Sequence, residues 1–307
     1  MTNLVNVSKE AFSIPIEAKT RELISASVSD NTLRAYHRCL DALSVWLGDR
    51  TLDDASLADY LSSLFDAGKS PATCSQVVAA VRWRAKYSSA ADLQLTITDA
   101  TLAGIRREGR GRGRGQVDGL TWKQVERVCI FAETDGTLAG LRDSAMIRLM
   151  SDCLLRVSEV VAVNCGDLKQ STLDVRQSKT DQEGAGETLY VCDATREVLS
   201  RYREKGGISR GAVFRQMRRG DNLQSERLTE RSARRIIKKR ADAAGVKGFV
   251  SGHSLRVGSA VSLAQAGASV VDMQVVGRWK SAQMPAHYAK AELAERSAIA
   301  RYKDGKR

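Results

Sequence analysis

Several polar residues in the second half of the chain have the types and spacing that phosphate chemistry needs. Arg156 and Glu159 lie three residues apart, so they share one face of a predicted helix and, taken alone, indicate a local ion pair. His253 and Arg256 are also three apart, at the predicted start of another helix, where both can face one anion. Taken alone, this second pair is more typical of a histidine with a structural role.

Three further residues extend this set. Lys179 lies where a predicted strand enters its turn; a lysine there is usually solvated, but it can also swing against a bound substrate. Trp279 and Tyr288 stand nine residues apart near the C-terminus. A tyrosine on a terminal helix most often packs, whereas a tyrosine whose hydroxyl faces two arginines and a histidine is a candidate nucleophile. In chain order the set is Arg156, Lys179, His253, Arg256, Trp279 and Tyr288.

In order and spacing, this set resembles the tyrosine recombinase (phage integrase) family, and in particular its Cre-like branch. The resemblance is carried by the segment Ser-Gly-His-Ser-Leu-Arg-Val-Gly-Ser-Ala at 251–260 and by the spacing of His253, Trp279 and Tyr288. It is strongest over 137–304 and covers most of the chain. It implies a mainly α fold with a small antiparallel β-sheet, in which a helical core-binding domain precedes an α+β catalytic domain.

The resemblance gives some members of the set a role at a scissile DNA phosphate. It implies that Arg156 and Arg256 grip the phosphate and that Glu159 supports the first arginine from behind. A planar guanidinium suits this task because its fork matches two phosphate oxygens. Two arginines also offset the charge that grows on the phosphoryl oxygens, as a metal ion does in other enzymes. No metal and no cofactor are therefore expected.

The resemblance also assigns the nucleophile and the proton transfers. Tyr288 matches the nucleophile, and His253 matches a phosphate-binding histidine with an acid–base role. Lys179 matches the lysine that protonates the leaving 5′ oxygen, and Trp279 stands where many relatives have a second histidine. The implied product is a 3′-phosphotyrosyl enzyme with a free 5′-hydroxyl. Because one phosphodiester replaces another, ATP is not needed.

Positive charge is unevenly distributed along the chain. The 307 residues include 48 Lys and Arg against 36 Asp and Glu, a net charge of +12. Residues 119–307 hold 33 of the basic and 22 of the acidic residues, and 201–240 hold 14 basic and 4 acidic ones. The electric field of so many positive charges attracts polyanions, of which nucleic acid is the first candidate. The alternative is a basic face that is only solvated and binds no partner. No apolar run approaches the ~18 residues that a membrane span requires.

Helix caps and apolar spacing predict a mainly helical chain of four parts. The parts are a flexible arm at 1–20, a helical core-binding domain that binds DNA at 21–108, a Gly/Arg linker at 109–119, and a catalytic domain at 120–307. Alternating β-formers at 172–178 and 187–192 predict one hairpin within the catalytic domain. By the resemblance, a C-terminal helix docks on a neighbouring subunit.

Residues at the heads of predicted helices, and the arginines of the linker, are the expected DNA contacts. Phosphate contacts would dominate affinity, and a few base contacts would set the site. For any single residue the alternative is a solvated basic surface. The expected contacts are Thr32, Arg34, Arg38, Arg82, Arg84, Arg110, Arg112, Arg114, Arg231, Arg235 and Lys238.

The expected function is site-specific DNA recombination through a covalent 3′-phosphotyrosine at Tyr288, with strand exchange through a Holliday junction. The expected partners are double-stranded DNA with inverted-repeat half-sites and three further copies of the chain. A homotetramer would form on two DNA sites, and the protein would be a monomer or weakly associated without DNA. A cytoplasmic, nucleoid-associated protein of a bacterium, phage, plasmid or mobile element is expected, with no membrane partner. A type IB topoisomerase and a non-catalytic DNA-binding regulator are the alternatives.

Overall fold

The computed structural model describes residues 17–87, 94–113, 117–176 and 186–290, and the single positions 294, 299, 302 and 303. The chain divides into two compact units, Met1–Gly115 and Gln116–Arg307. None of the helices in these described ranges is both long and apolar enough to cross a membrane.

In the first unit, the described residues form five helices with a shared apolar core. Side chains cap the starts of several helices: Ser29 accepts a hydrogen bond from the backbone N–H of Thr32, and Pro71 occupies a first turn, where its missing N–H does no harm. Leu57 and Leu61 are fully buried in the core. The helices are α1 (Ala18–Ala26), α2 (Asp30–Leu47), α3 (Asp54–Asp66), α4 (Pro71–Ala85) and α5 (Thr96–Glu108).

The beginning of the predicted Gly/Arg linker lies against the first unit. The guanidinium carbon of Arg112 is 3.9 Å from the centre of the Phe65 ring, and Nη1 of Arg112 donates to the Phe65 carbonyl oxygen at 3.0 Å. A cation over an aromatic face is attracted by the ring quadrupole, so this contact holds the chain locally. The linker residue Arg114 lies outside the described residues.

In the second unit, the described residues form eight α-helices, one short 3-10 helix (Cys165–Asp167) and two antiparallel hairpins. Strand β1 (Thr172–Val175) pairs with β2 (Glu187–Tyr190), and β3 (Arg215–Arg218) pairs with β4 (Asn222–Arg227). The helices are α6 (Trp122–Glu133), α7 (Leu138–Asp152), α8 (Val157–Ala162), α9 (Asp193–Lys205), α10 (Glu230–Ala243), α11 (Ser254–Gln265), α12 (Val270–Gly277) and α13 (Gln283–Tyr288).

The predicted fold class is confirmed: the chain is mainly helical with a small antiparallel β component. The predicted hairpin is present, with strands shorter than the sequence pattern indicates. The second hairpin was not predicted. Its strands are dominated by arginine and glutamine, so they lack the alternation of apolar and polar residues that marks a strand in sequence.

The core of the second unit is built around α7. Met146, Leu149 and Met150 on this helix are fully buried. Helix α11 packs close to the chain before α6 because Gly258 has no side chain: a Cβ there would lie 1.9 Å from the carbonyl oxygen of Leu120. This close approach fixes the start of α11, where two residues of the candidate site lie.

Candidate active site

The first part of the site lies where α7 ends and α8 begins. Leu154 has a left-handed backbone with φ 47°, which turns the chain between the two helices. Arg156 is the residue before α8, and its N–H donates to Oε2 of Glu159 at 2.9 Å. Its Nη1 donates to Oε1 of the same carboxylate at 2.6 Å. The expected ion pair is therefore present, and it orients the Arg156 side chain.

Arg256 lies in the first turn of α11 and is almost fully buried, with 1% of its surface exposed. Nη1 donates to the carbonyl oxygen of Leu154 at 2.5 Å, and Nη2 donates to that of Gly277. Burial lowers the pKa of Arg256 to about 10, and the charges of Arg156 and Arg278 contribute. The guanidinium is thus a rigid donor group that keeps its charge at neutral pH.

Trp279 covers Arg256 on one side. Its ring centre lies 4.5 Å from the guanidinium carbon of Arg256 and 5.8 Å from the ring centre of Tyr288. The ring can fold back over the residue two positions earlier because that residue is Gly277, where a Cβ would lie 1.9 Å from the indole. The tryptophan therefore joins the arginine to the tyrosine through its two contacts.

His253 and Tyr288 form a hydrogen-bonded pair. Nε2 of His253 lies 3.0 Å from the hydroxyl oxygen of Tyr288. Burial, together with the charges of Arg256 and Arg156, lowers the pKa of His253. Burial raises the pKa of Tyr288, and Arg256 opposes that shift. Both groups are therefore neutral at neutral pH. In the tautomer that carries its proton on Nδ1, Nε2 of His253 accepts from the phenol, the arrangement from which a base can take a phenolic proton.

The structure brings six of the seven residues predicted from the sequence into this one cluster. The seventh, Lys179, lies outside the described residues. Sequence reasoning missed Arg278, whose Nη2 lies 2.9 Å from Oε2 of Glu159. The six are Arg156, Glu159, His253, Arg256, Trp279 and Tyr288.

Helix α10 presents a basic face to solvent. Arg231, Arg235 and Lys238 are all exposed, whereas Ala233 and Ile237 are buried on the opposite face. An amphipathic helix of this kind exposes its cations as a row, which suits a phosphate backbone.

The residues of the first unit that are expected to contact DNA differ in how exposed their side chains are. Arg34, Arg38, Arg82, Arg110 and Arg112 are exposed, and Thr32 is half-buried. Arg82 is already paired with Asp99 at 2.5 Å.

Arg84 differs from the other expected contacts because it is only 8% exposed, and burial lowers its pKa. A contact between Arg84 and DNA would require this side chain to leave its buried position.

Residues 119–295 match the phage integrase family. This match covers more than half of the chain, and the chain belongs to the phage integrase family. It is an enzyme of the tyrosine-type site-specific recombinase class.

Two curated relatives cover most of the chain. An integrase/recombinase XerD homolog of Selenomonas ruminantium is 28% identical over 297 residues, which cover 89% of this chain and 85% of the relative. The tyrosine recombinase XerD of Oceanobacillus iheyensis is 27% identical over 287 residues, which cover 89% of this chain and 92% of the relative.

One solved structure with a similar fold is a lambda integrase tetramer bound to a Holliday junction. It superposes with a TM-score of 0.62 at 19% identity and covers 89% of this chain and 76% of that one. At this identity the likeness shows the fold alone. The narrower assignment to a Cre-like branch stays a prediction.

Proposed function

We propose that the protein cuts and rejoins DNA at specific sites by attaching a DNA strand covalently to Tyr288. The observation that carries this proposal is the 3.0 Å contact between the Tyr288 hydroxyl and Nε2 of His253, beside the buried guanidinium of Arg256. A nucleophile, a base and fixed positive charge are thus gathered on one unit of the chain.

The reaction transfers a phosphoryl group without net loss of a phosphodiester. The Tyr288 oxygen attacks the phosphorus, a Tyr–O–P bond forms, and the bond from phosphorus to the 5′ oxygen breaks. The phenolic proton passes to Nε2 of His253, and Lys179 is the proposed donor of a proton to the departing 5′ oxygen. Attack by another 5′-hydroxyl reverses these steps and releases Tyr288.

The arginines supply the electrostatic part of catalysis. Arg156 and Arg256 are held by Glu159 and by backbone carbonyl groups, so their remaining N–H groups have fixed directions. Preorganised donors of this kind stabilise charge that develops on phosphoryl oxygens more strongly than mobile water does. The proposed ligand at this point is the scissile phosphate.

Helix α10 is the proposed reader of double-stranded DNA. Its exposed Arg231, Arg235 and Lys238 match the charge of the phosphate backbone, and its N-terminal turn has the size to enter a major groove. The proposed site carries inverted-repeat half-sites, because each copy of the protein occupies one half. The proposed cellular location is the cytoplasm.

Assembly into a tetramer on two DNA sites is part of the proposal. A groove of about 920 Å³ lies between β2 and α12, and the apolar side chains of Tyr190, Val271 and Val275 beside it are exposed. The proposed occupant is the C-terminal segment, 291–307, of a neighbouring copy. The lambda integrase of similar fold is a tetramer in its structure on a Holliday junction, which supports a tetramer as the proposed assembly. Deleting 291–307 should weaken assembly more than binding to a single site; equal losses would contradict this docking.

A covalent trapping experiment tests the chemistry. A preferred duplex is first selected from a random-sequence pool by binding to the full-length protein, and nicks are then placed at successive positions in its centre. A nick beside the cleavage position lets a short fragment dissociate, so that the protein–DNA adduct accumulates. Wild-type protein should form an adduct that survives denaturant, and Tyr288→Phe should bind the duplex but form none.

The alternatives give other outcomes. Binding without any adduct from wild-type protein would indicate a non-catalytic DNA-binding regulator. Relaxation of a supercoiled plasmid, without recombination between two paired sites, would indicate a topoisomerase of type IB. Recombination of paired sites that Tyr288→Phe abolishes supports the proposed function.

A further inference from the structure

Arg278 lies beside the proposed phosphate site without a role in the proposed chemistry. Its side chain is 1% exposed. It also has a left-handed backbone with φ 55°, which a non-glycine residue adopts at an energetic disadvantage. A buried charge at a strained backbone position needs strong compensating contacts.

Those contacts involve the groups that hold the two phosphate-site arginines. Nη2 of Arg278 donates to Oε2 of Glu159 at 2.9 Å, while Nη1 of Arg156 donates to Oε1 at 2.6 Å. The same Nη2 lies 3.2 Å from the carbonyl oxygen of Leu154, which also accepts the hydrogen bond from Nη1 of Arg256. Arg278 therefore shares one partner with each of the two arginines.

The backbone on either side of Arg278 belongs to the same arrangement. The preceding residue, Gly277, offers its carbonyl oxygen to Nη2 of Arg256. The following residue, Trp279, covers the guanidinium of Arg256 at 4.5 Å. Arg278 is therefore bonded directly to the two residues that provide the Gly277 carbonyl and the Trp279 ring to Arg256.

The local charge favours an anionic ligand. Two guanidinium groups, those of Arg156 and Arg278, contact the carboxylate of Glu159. A third, that of Arg256, shares the Leu154 carbonyl oxygen with Arg278. Burial alone would raise the pKa of Glu159, but the charges of Arg278 and Arg156 and the hydrogen bonds of Arg156 lower it overall. Among the residues that the structure describes, Nε and Nη1 of Arg278 make no hydrogen bond, although Nε lies 3.7 Å from Oε2 of Glu187. The cluster therefore keeps an excess of positive charge, which acts strongly on an anion in a buried site.

We propose that Arg278 is a positioning residue of the phosphate site. By holding Glu159 and the Leu154 carbonyl, it fixes the directions in which Arg156 and Arg256 present their N–H groups to the scissile phosphate. This inference rests on the proposed function and deepens it, because it adds a residue that acts through the two arginines rather than on the DNA.

The test measures binding and cleavage separately for Arg278→Met and Arg278→Lys on the nicked duplex described above. Methionine removes the charge at similar length, and a misplaced catalytic group lowers a rate by about 100-fold, which we expect here. Lysine keeps the charge but lacks the planar fork that reaches two partners, so we expect a rate about 10-fold below wild type. Both variants should bind the duplex within about threefold of wild type, because affinity is spread over many phosphate contacts.

A double variant separates positioning from a general loss of packing. If Arg278 acts in part through Glu159, the loss of cleavage rate in the variant carrying Arg278→Met and Glu159→Gln should be smaller than the product of the two single losses, whereas independent effects multiply. Arg201→Met is the matched control, because it removes an exposed arginine that is paired with Glu133 at 3.2 Å. It should cleave at the wild-type rate.

The outcomes distinguish this inference from the function on which it rests. A wild-type cleavage rate in Arg278→Met, or multiplied losses in the double variant, would overturn the role of Arg278. If Arg278→Met does not fold, Arg278→Lys decides: a rate about 10-fold lower with intact binding supports the role, and the wild-type rate overturns it. Absence of any adduct from wild-type protein would instead overturn the proposed function.

Discussion

Nε2 of His253 lies 3.0 Å from the hydroxyl oxygen of Tyr288, although the two residues are 35 positions apart in the chain. Helix α11 carries one partner at its start and α13 carries the other at its end. The surroundings lower the pKa of the histidine and raise that of the tyrosine. Both groups are therefore neutral before DNA binds, and the imidazole is free to accept the phenolic proton.

This pairing predicts a loss of cleavage at acid pH. The pKa of His253 lies below its ordinary 6.5, because burial and then the charges of Arg256 and Arg156 disfavour the imidazolium. Neutral imidazole is the active form, so the rate should be flat near neutral pH. It should fall about tenfold per pH unit once the pH drops through the lowered pKa. Single-turnover cleavage measured across pH provides the check.

His253→Gln is the control for the pH profile. Glutamine does not titrate, so this variant should cleave slowly and lack the acid limb. An unchanged acid limb in His253→Gln would show that another group causes it.

Glu159 predicts a pH-dependent contribution to stability. Its pKa in the folded protein is below the ordinary 4.5, so its carboxylate stabilises the fold above that pH, and the contribution is lost as the pH falls through the lowered pKa. Glu159→Gln should therefore unfold more easily than wild type at neutral pH, by about 3 kcal/mol, since it leaves buried arginines without their partner. Urea unfolding at several pH values should show this difference shrinking in acid. A difference that grows in acid would contradict the assignment.

Two arginines of α10 should behave in opposite ways. Arg235 is exposed, and Arg235→Ala should weaken DNA binding and reduce the salt slope of log K by about 1, with little change in stability. Arg240 is buried, and its Nε donates to Oδ2 of Asp143 at 2.8 Å. Arg240→Ala should lower the free energy of unfolding by about 3–5 kcal/mol, because it leaves a buried carboxylate with one partner fewer. Binding titrations at several salt concentrations and urea unfolding measure the two effects. If Arg235→Ala lowered the stability and Arg240→Ala weakened only DNA binding, the assignment of an exposed and a buried face to α10 would be wrong.

The close approach of α11 to Leu120 makes Gly258 sensitive to a single methyl group. Gly258→Ala places a Cβ against backbone atoms that cannot rotate away, so we expect destabilisation of about 3 kcal/mol or more. Gly166→Ala is the matched control in the same unit, because a Cβ there meets no atom within 4 Å. Its stability should stay within about 0.5 kcal/mol of wild type. Equal effects of the two substitutions in thermal unfolding would contradict the packing described for α11.

Most of the helices can be predicted from the sequence because their signals are local. A capping residue and the apolar residues of the first turns lie within a few positions of each other in the chain. Asp53, for example, caps α3 by accepting the N–H of Ser56, as its sequence position suggests. The hairpin of β3 and β4 had no such signal, because its stability depends on pairing rather than on an apolar pattern.

The residues of the candidate site also divide into those that a local sequence pattern predicts and those that only the folded chain brings together. The sequence marks His253, Arg256 and Tyr288 by their spacing. His253 and Arg256 share one helical turn, and Tyr288 follows them at the distance seen in the family that the sequence resembles. Arg278 had no comparable signal. Its main partner, Glu159, is 119 positions away, and only the packed chain brings the two together.

The most direct measurement of the central chemistry is the identification of the residue that carries the DNA. The trapped adduct is digested with nuclease and protease, and the modified peptide is sequenced by mass spectrometry. We predict a nucleotide linked through its 3′ phosphate to the hydroxyl of Tyr288, and to no other residue. A nucleotide on a different side chain, or a 5′ linkage to Tyr288, would contradict the mechanism.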